Sequence, residues 1–146
     1  YAKKNIEDLF DDDVLEKSLV KKVDYQKSCV AINDGKGKFT VVELPIEAQF
    51  SCINATYCTD LNGDGLKDII LGGNNFHFIP QFSRLDAFKG KILINKGKGQ
   101  FTAVLDSKSG YRVDGELKQI SPITLGGKKC IINLVNNKPP KVYALK

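Results

Sequence analysis

From residue 28 onward the apolar positions fall in short runs separated by Gly, Asn, Asp and Lys. Runs this short, rich in β-branched residues and bounded by turn formers, predict strands rather than helices. The expected strands span 29–33, 39–44, 52–59 and 68–71, then 92–95, 101–105, 117–120 and 130–135. Residues 1–27 read differently. They are charged, and Ile6, Leu9 and Phe10 share one side of a helix that Asn5 can cap. Val14, Leu15, Leu19, Val20 and Val23 suggest a second short helix, with Lys17, Lys21 and Lys22 facing solvent.

The strand pattern repeats. Ala31-Ile32-Asn33-Asp34-Gly35-Lys36-Gly37-Lys38-Phe39-Thr40 matches Leu93-Ile94-Asn95-Lys96-Gly97-Lys98-Gly99-Gln100-Phe101-Thr102 at an offset of 62 residues. The same offset carries Ile69-Ile70 onto Ile131-Ile132 and Asn74-Asn75 onto Asn136-Asn137, with no insertion or deletion. A period this long denotes a supersecondary unit of several strands, as in a propeller blade. Each unit runs strand, Gly-x-Gly hairpin, strand, loop, then two more strands, which predicts an all-β fold of two four-stranded blades. The boundaries follow: a helical lead-in over 1–27, a first blade over 28–75, a connection over 76–89 and a second blade over 90–146.

Within the first unit lies Asp60-Leu61-Asn62-Gly63-Asp64-Gly65-Leu66-Lys67-Asp68, running into Ile69-Ile70-Leu71-Gly72-Gly73. Oxygen-bearing side chains at Asp60, Asn62, Asp64 and Asp68 repel one another unless a cation lies between them. Hard oxygens at this spacing suit Ca²⁺, with the Leu66 carbonyl as the backbone ligand. An EF-hand requires a Glu where Leu71 stands and a helix on each side, so that reading fails. A plain Asn-Gly/Asp-Gly hairpin needs neither Asp60 nor Asp68. In the second unit the corresponding residues are Pro122, Thr124, Gly126 and Cys130. The turn glycines Gly126-Gly127 persist without carboxylates, so one calcium site is expected and not two.

A glycine-punctuated calcium loop flowing into an apolar Gly-Gly strand resembles the FG-GAP, or VCBS, repeat of integrin-α-like β-propellers. The stretches Asn33-Asp34-Gly35-Lys36-Gly37-Lys38-Phe39, Leu44-Pro45-Ile46-Glu47-Ala48-Gln49-Phe50-Ser51 and Arg84-Leu85-Asp86-Ala87 are similar to large surface proteins of Bacteroidota. Those proteins carry many such repeats, often with an ASPIC/UnbV domain as in the cartilage acidic protein group. The resemblance covers essentially 25–146, and the lead-in is similar to the segment before the last blades. It implies metal ligation by Asp60, Asn62, Asp64, Leu66 through its carbonyl, and Asp68. It implies no catalytic residue, because such propellers serve as calcium-stabilised scaffolds at the cell surface. A closed propeller of the family has about seven blades, whereas two are expected here. Two blades leave open sheet edges, so the chain reads as the last part of a longer protein or one piece of a cleaved one. A start at Tyr1 in a chain without Met agrees with that. The expected partners are the remaining blades or other surface and outer-membrane proteins.

Composition narrows the alternatives. With 42% hydrophobic residues the chain is globular, and no apolar stretch is long enough to span a membrane. No signal peptide or lipobox is present in these residues. The net charge of +5 is partly gathered in the hairpin lysines Lys36, Lys38, Lys96 and Lys98. These lack the interleaved aromatics of a strand-based nucleic-acid surface, since Phe39 and Phe101 are expected to point into the core. The Gly35–Lys38 stretch lacks phosphate-loop spacing. Cys29, Cys52, Cys58 and Cys130 fit no zinc motif and could make two disulfides in three pairings, with Cys52–Cys58 the pair to test first. Cys29, Cys58 and Cys130 lie in apolar strand stretches, where small buried hydrophobes are the favoured expectation. His77 is the one histidine, no Gly-x-Ser-x-Gly is present, and the best acid cluster is committed to calcium, so enzymatic chemistry is not expected.

Two functions from different classes follow. One is a non-catalytic, calcium-rigidified propeller segment for adhesion, assembly or protein–protein interaction outside the cell. The other is a glycan- or nutrient-binding module, with Phe76, Phe78, Phe82 and Arg84 of the aromatic connection as its contact surface. Burial of those phenylalanines would remove the support for the second.

Overall fold

The computed structural model describes residues 3–77 and 83–145. Among them nine strands form three antiparallel sheets. Strand β1 (Cys29–Asn33) pairs with β2 (Phe39–Glu43). A four-stranded sheet runs in chain order through β3 (Ile53–Thr59), β4 (Asp68–Gly73), β5 (Lys91–Asn95) and β6 (Phe101–Ala103). The third sheet is β7 (Leu117–Leu125), β8 (Lys128–Val135) and β9 (Lys141–Ala144). The all-β expectation holds at this level.

The grouping of strands differs from the sequence units. Strand β4 pairs with β5, bringing Ile69 opposite Leu93, Ile70 opposite Ile92 and Leu71 opposite Lys91. The second half of one repeat and the first half of the next therefore share a sheet, and 76–89 connects strands within it. The change of sheet comes instead between β2 and β3. There the buried Leu44 and Ala48, on either side of Pro45, hold a 3-10 turn over Ile46–Ala48 against the core. The Gln49 side-chain amide locks this crossing by donating to the carbonyls of Ser28 (3.0 Å) and Leu44 (2.9 Å).

The sheets stack, with β3–β6 in the middle. On one face Ala55 and Ile70 pack with Tyr111, Val113, Leu117, Ile120, Ile131 and Val135 of the β7–β9 layer. On the other, Ile69, Leu71 and Leu93 pack with Leu44, Ala48 and Phe88, with Val30 of β1 at the margin. Strand β4 is buried at all six positions, which explains an unbroken apolar run in an antiparallel sheet. Its two glycines have separate reasons. A Cβ on Gly72 would lie 2.6 Å from Leu117 Cδ2, so Gly72 lets β7 approach. A Cβ on Gly73 would lie 1.8 Å from the Cys52 carbonyl oxygen, where backbone cannot yield.

Both Gly-x-Gly hairpins close alike: Asp34 N–H donates to Lys38 O (3.0 Å) and Lys96 N–H to Gln100 O (2.7 Å). Their lysines are exposed, as expected. Phe39 is not in the core, however, but 58% exposed, because none of the described residues covers the outer side of the β1–β2 hairpin; Phe101 is half-buried. The lead-in is less helical than expected. It holds a 3-10 turn over Ile6–Asp8 and a helix α1 of five residues, Asp12–Glu16. Leu19, Val20 and Val23 lie outside regular structure and are exposed. A helix this short has no stability without a packing surface. Asn5 caps in an unexpected sense, its backbone N–H donating to Asp8 Oδ2 at 3.0 Å. A four-residue helix α2 (Asp106–Ser109) and β9 were not anticipated. All four cysteines are free, with Cys130 buried but Cys29 and Cys58 exposed. Among the described residues no helix is long and apolar enough to cross a membrane.

The two kinds of glycine separate in stability. Gly73→Ala, which drives a Cβ into backbone, should cost about 4 kcal/mol or more. Gly63→Ala has open space around it and only a φ of +79° to oppose it, so it should cost about 1–2 kcal/mol. Urea denaturation of both variants measures the difference, and equal costs would refute the close-approach explanation.

Candidate metal loop and its anchors

The Asp60–Asp68 loop joins β3 to β4, so its ends are fixed by the pairing of Thr59 with Asp68. Inside it, each acid turns onto the loop's own amides. Asp60 accepts N–H groups from Gly63 (2.7 Å) and Gly65 (2.9 Å), which hold its carboxyl below the usual carboxylate range, Gly65 contributing most. Asn62 Oδ1 accepts from Asp64 N–H (3.1 Å), and Asp64 Oδ1 from Leu66 N–H (2.8 Å). Asn62 Nδ2 donates to Asp64 Oδ2 at 2.8 Å.

Asp68 is the fixed member. It is fully buried, and it accepts N–H groups from Leu61 (2.9 Å) on one oxygen and Asn95 (2.8 Å) on the other. The Asn95 side chain donates to the Lys67 carbonyl at 3.0 Å. One asparagine of the second repeat thus grips the loop's exit, tying the candidate site to the β5–β6 hairpin.

The donor set suits a hard divalent cation in chemistry. Every ligand atom is oxygen, and each Asp oxygen named above carries one hydrogen bond where two lone pairs are available. Three carboxylates stand here without a Lys or Arg partner among the described residues, whereas Glu43, Asp86, Asp106 and Asp114 each have one. In side-chain placement the loop is not gathered: among the described residues no three His, Cys, Asp or Glu side chains group closely enough to hold a metal ion. Calcium would be held by Asp60, Asn62, Asp64, Asp68 and the Leu66 carbonyl, after the exposed Asp64 turns from its present contacts. In the second unit Gly126 and Gly127, at φ +55° and +76°, make a two-residue turn between β7 and β8. Strand pairing there occupies the positions that are loop in the first unit.

Two buried polar clasps escaped the sequence reading. Asn74 is 1% exposed at φ +84°, just past β4. Its Nδ2 donates to the carbonyls of Phe88 (2.6 Å) and Gly115 (2.9 Å), and its Oδ1 accepts Phe88 N–H (3.0 Å). That single side chain joins the middle sheet, the 83–90 segment and the entry to β7. Its repeat partner Asn136 donates through Nδ2 to Glu116 Oε2 at 2.9 Å. Glu116, itself buried, also takes Lys118 Nζ at 2.8 Å and lies 3.4 Å from His77 Nδ1. Lys118 above all holds the Glu116 carboxyl below its ordinary value. The repeated Asn-Asn pair was a visible signal, though its role was not.

In the aromatic connection, Arg84 lies over the half-buried Phe76 ring, 4.8 Å from its centroid, and pairs with Asp86 at 2.9 Å. Phe78 and Phe82 lie outside the described residues. No match is found among protein-family models, curated proteins or solved structures.

Asn74 should prove costly to lose. Asn74→Ala strands three buried backbone groups and is expected to cost about 3–5 kcal/mol, each orphaned group counting for roughly 1–3. Asn74→Gly keeps the positive φ, so an equal loss by denaturation assigns the effect to hydrogen bonds, and full stability would refute the clasp. A second expectation concerns pH. Because the folded Glu116 carboxyl is depressed below 4.5, its contribution is present above that pH and lost as pH falls through the folded value. Glu116→Gln should therefore flatten part of the acid limb of the stability curve, and an unchanged limb would show that Glu116 is not coupled to folding.

Proposed function

We propose that this chain is a non-catalytic, calcium-stabilised segment of an FG-GAP/VCBS-like β-propeller, acting as a scaffold for protein–protein interaction at the cell surface. The observation that carries this reading is the Asp60–Asp68 loop, with three carboxylates that have no cationic side-chain partner among the described residues and a buried Asp68 clasped by the following repeat. The 62-residue repeat supports a blade-like unit, and the stacking of three sheets supports an arrangement built by adding such units. Calcium binding the folded loop only would stabilise the fold by mass action. A loop open to solvent with few fixed ligands suits the millimolar calcium found outside cells. The glycan reading is weaker, since Arg84 already covers a face of Phe76 that a sugar would need.

Melting curves of the chelator-stripped chain test this. Calcium at about one hundred times its dissociation constant adds about 2.7 kcal/mol, a rise of roughly 5–10 °C at this chain length. Magnesium should give no rise. Asp64→Ala should abolish the calcium response, while Lys36→Ala leaves it intact. A cooperative transition indifferent to calcium, or an Asp64→Ala variant with full response, would overturn the metal assignment.

A further inference from the structure

We propose that the free edge of β1 is a docking site for an Asp-led apolar strand, supplied by a further repeat unit of this same kind. The inference rests on the repeat and the pairing register, and does not require the loop to bind metal.

Strand β1 is the copy of β5 at an offset of 62 residues, and β2 that of β6. The copies differ in their neighbours. Strand β5 lies between β4 and β6, whereas among the described residues β1 pairs with β2 alone. The hairpin bonds fix which backbone groups face outward. Asp34 N–H bonds Lys38 O on the β2 side, so by antiparallel alternation Cys29, Ala31 and Asn33 direct their N–H and C=O away from β2. Among the described residues none of these three N–H groups has an acceptor. Their copies Lys91, Leu93 and Asn95 are the ones that meet β4: Leu93 stands opposite Ile69 and Lys91 opposite Leu71, and Asn95 N–H donates to Asp68.

Asn33 reproduces the clasp. Its Oδ1 accepts Gly35 N–H at 2.8 Å, as Asn95 Oδ1 accepts Gly97 N–H at 2.9 Å. In Asn95 this leaves Nδ2 for the Lys67 carbonyl and the backbone N–H for the Asp68 carboxylate. The same two donors of Asn33 are exposed and take no acceptor among the described residues. They define the occupant as an extended strand whose first residue is acidic and whose next residues are apolar. Beside the edge, a cleft of about 400 Å³ lies between β1 and the outer face of β3 and β4, lined by Cys29, Val30, Ile53, Cys58, Ile69 and Leu71. There the incoming strands would cover β3 and β4 much as the middle sheet covers β7. Unpaired edges bind such strands by main-chain bonds, with side chains setting specificity.

The probe is the acetylated peptide of residues 66–73, Leu-Lys-Asp-Ile-Ile-Leu-Gly-Gly, which lacks Asp60–Gly65 and so reports on the edge alone. Titrated into the isotope-labelled chain, it should shift the amide signals of Cys29, Ala31 and Asn33. A peptide N-methylated at Ile69, whose N–H would face the edge, should lose binding, while one N-methylated at Ile70 should keep it. Asp68→Asn in the peptide should weaken binding by about fivefold to tenfold, the difference between a charged and a neutral acceptor. No binding, or equal binding of the two N-methylated peptides, would overturn the proposal. Amides of Cys29, Ala31 and Asn33 already protected from exchange in the free chain would do the same, since the lead-in or a second copy would then occupy the edge. A chain that binds the peptide yet ignores calcium upholds the docking edge and refutes only the metal.

Discussion

Strand β4 has to satisfy two sheets at once, and most of the architecture is what that requires. Its side chains face the β7–β9 layer on one side and the β1–β2 layer on the other. Polar residues are therefore excluded from it except at the ends, where Asp68 and Asn74 stand. Each end is closed by a buried polar side chain that bonds to backbone. Such groups are tolerable only when their partners are complete, and completion is supplied by residues distant in sequence. Asp68 draws on Asn95, and Asn74 on Phe88 and Gly115. The strand cannot shift register by one residue without breaking both clasps and exposing its apolar faces.

This also explains why the chain groups its strands across the repeat boundary. A repeat unit is the segment that recurs in sequence, and its phase is arbitrary with respect to hydrogen bonding. The contact that holds the units together is the Asp-led strand gripped by an asparagine that opens a Gly-x-Gly turn, seen once among the described residues, between Asp68 and Asn95. That grip joins the end of one unit to the beginning of the next, so the cohesive contact and the sequence boundary fall in different places. In the second unit the strand that corresponds to β4, β8, still pairs on its far side, with β9, but Cys130 replaces the acid and the long loop becomes a two-residue turn. The hairpin holds the strands together there without ligands.

Much of the fold was legible because strands announce themselves by short apolar runs and their turns by glycine. Seven of the eight expected strand cores appear within two or three residues of their bounds, the exception being 117–120, which extends to Leu125 because Pro122 and Thr124 continue opposite β8. Strand β9 was missed although Val142-Tyr143-Ala144-Leu145 is apolar, because the run is short and directly follows Pro139-Pro140 and Lys141; it is recruited by the edge of β8. The lead-in was over-read: helical periodicity was present at Val14 and Leu15, but among the described residues neither core cluster includes them. The loop's ligand candidates were visible in spacing, whereas the clasps were not, since Asn74 and Glu116 look like ordinary loop polars until the fold brings carbonyls and lysine to them.

The exposed and buried acids divide the electrostatics of the molecule. Asp114 is held low chiefly by Arg112 and Glu116 by Lys118, so both are compensated within the fold. Asp60 is held low by amide N–H groups instead, which stabilise its negative charge without cancelling it. In a chain carrying +5 overall, local negative charge preserved in this way is a directed feature of the loop. It favours the ionised Asp60 carboxylate while leaving lone pairs for a cation. The same amide bonds also hold the loop in a wound shape. The proposed calcium would then have little backbone entropy left to remove, and its remaining cost would be the turning of Asp64 away from Leu66 and Asn62.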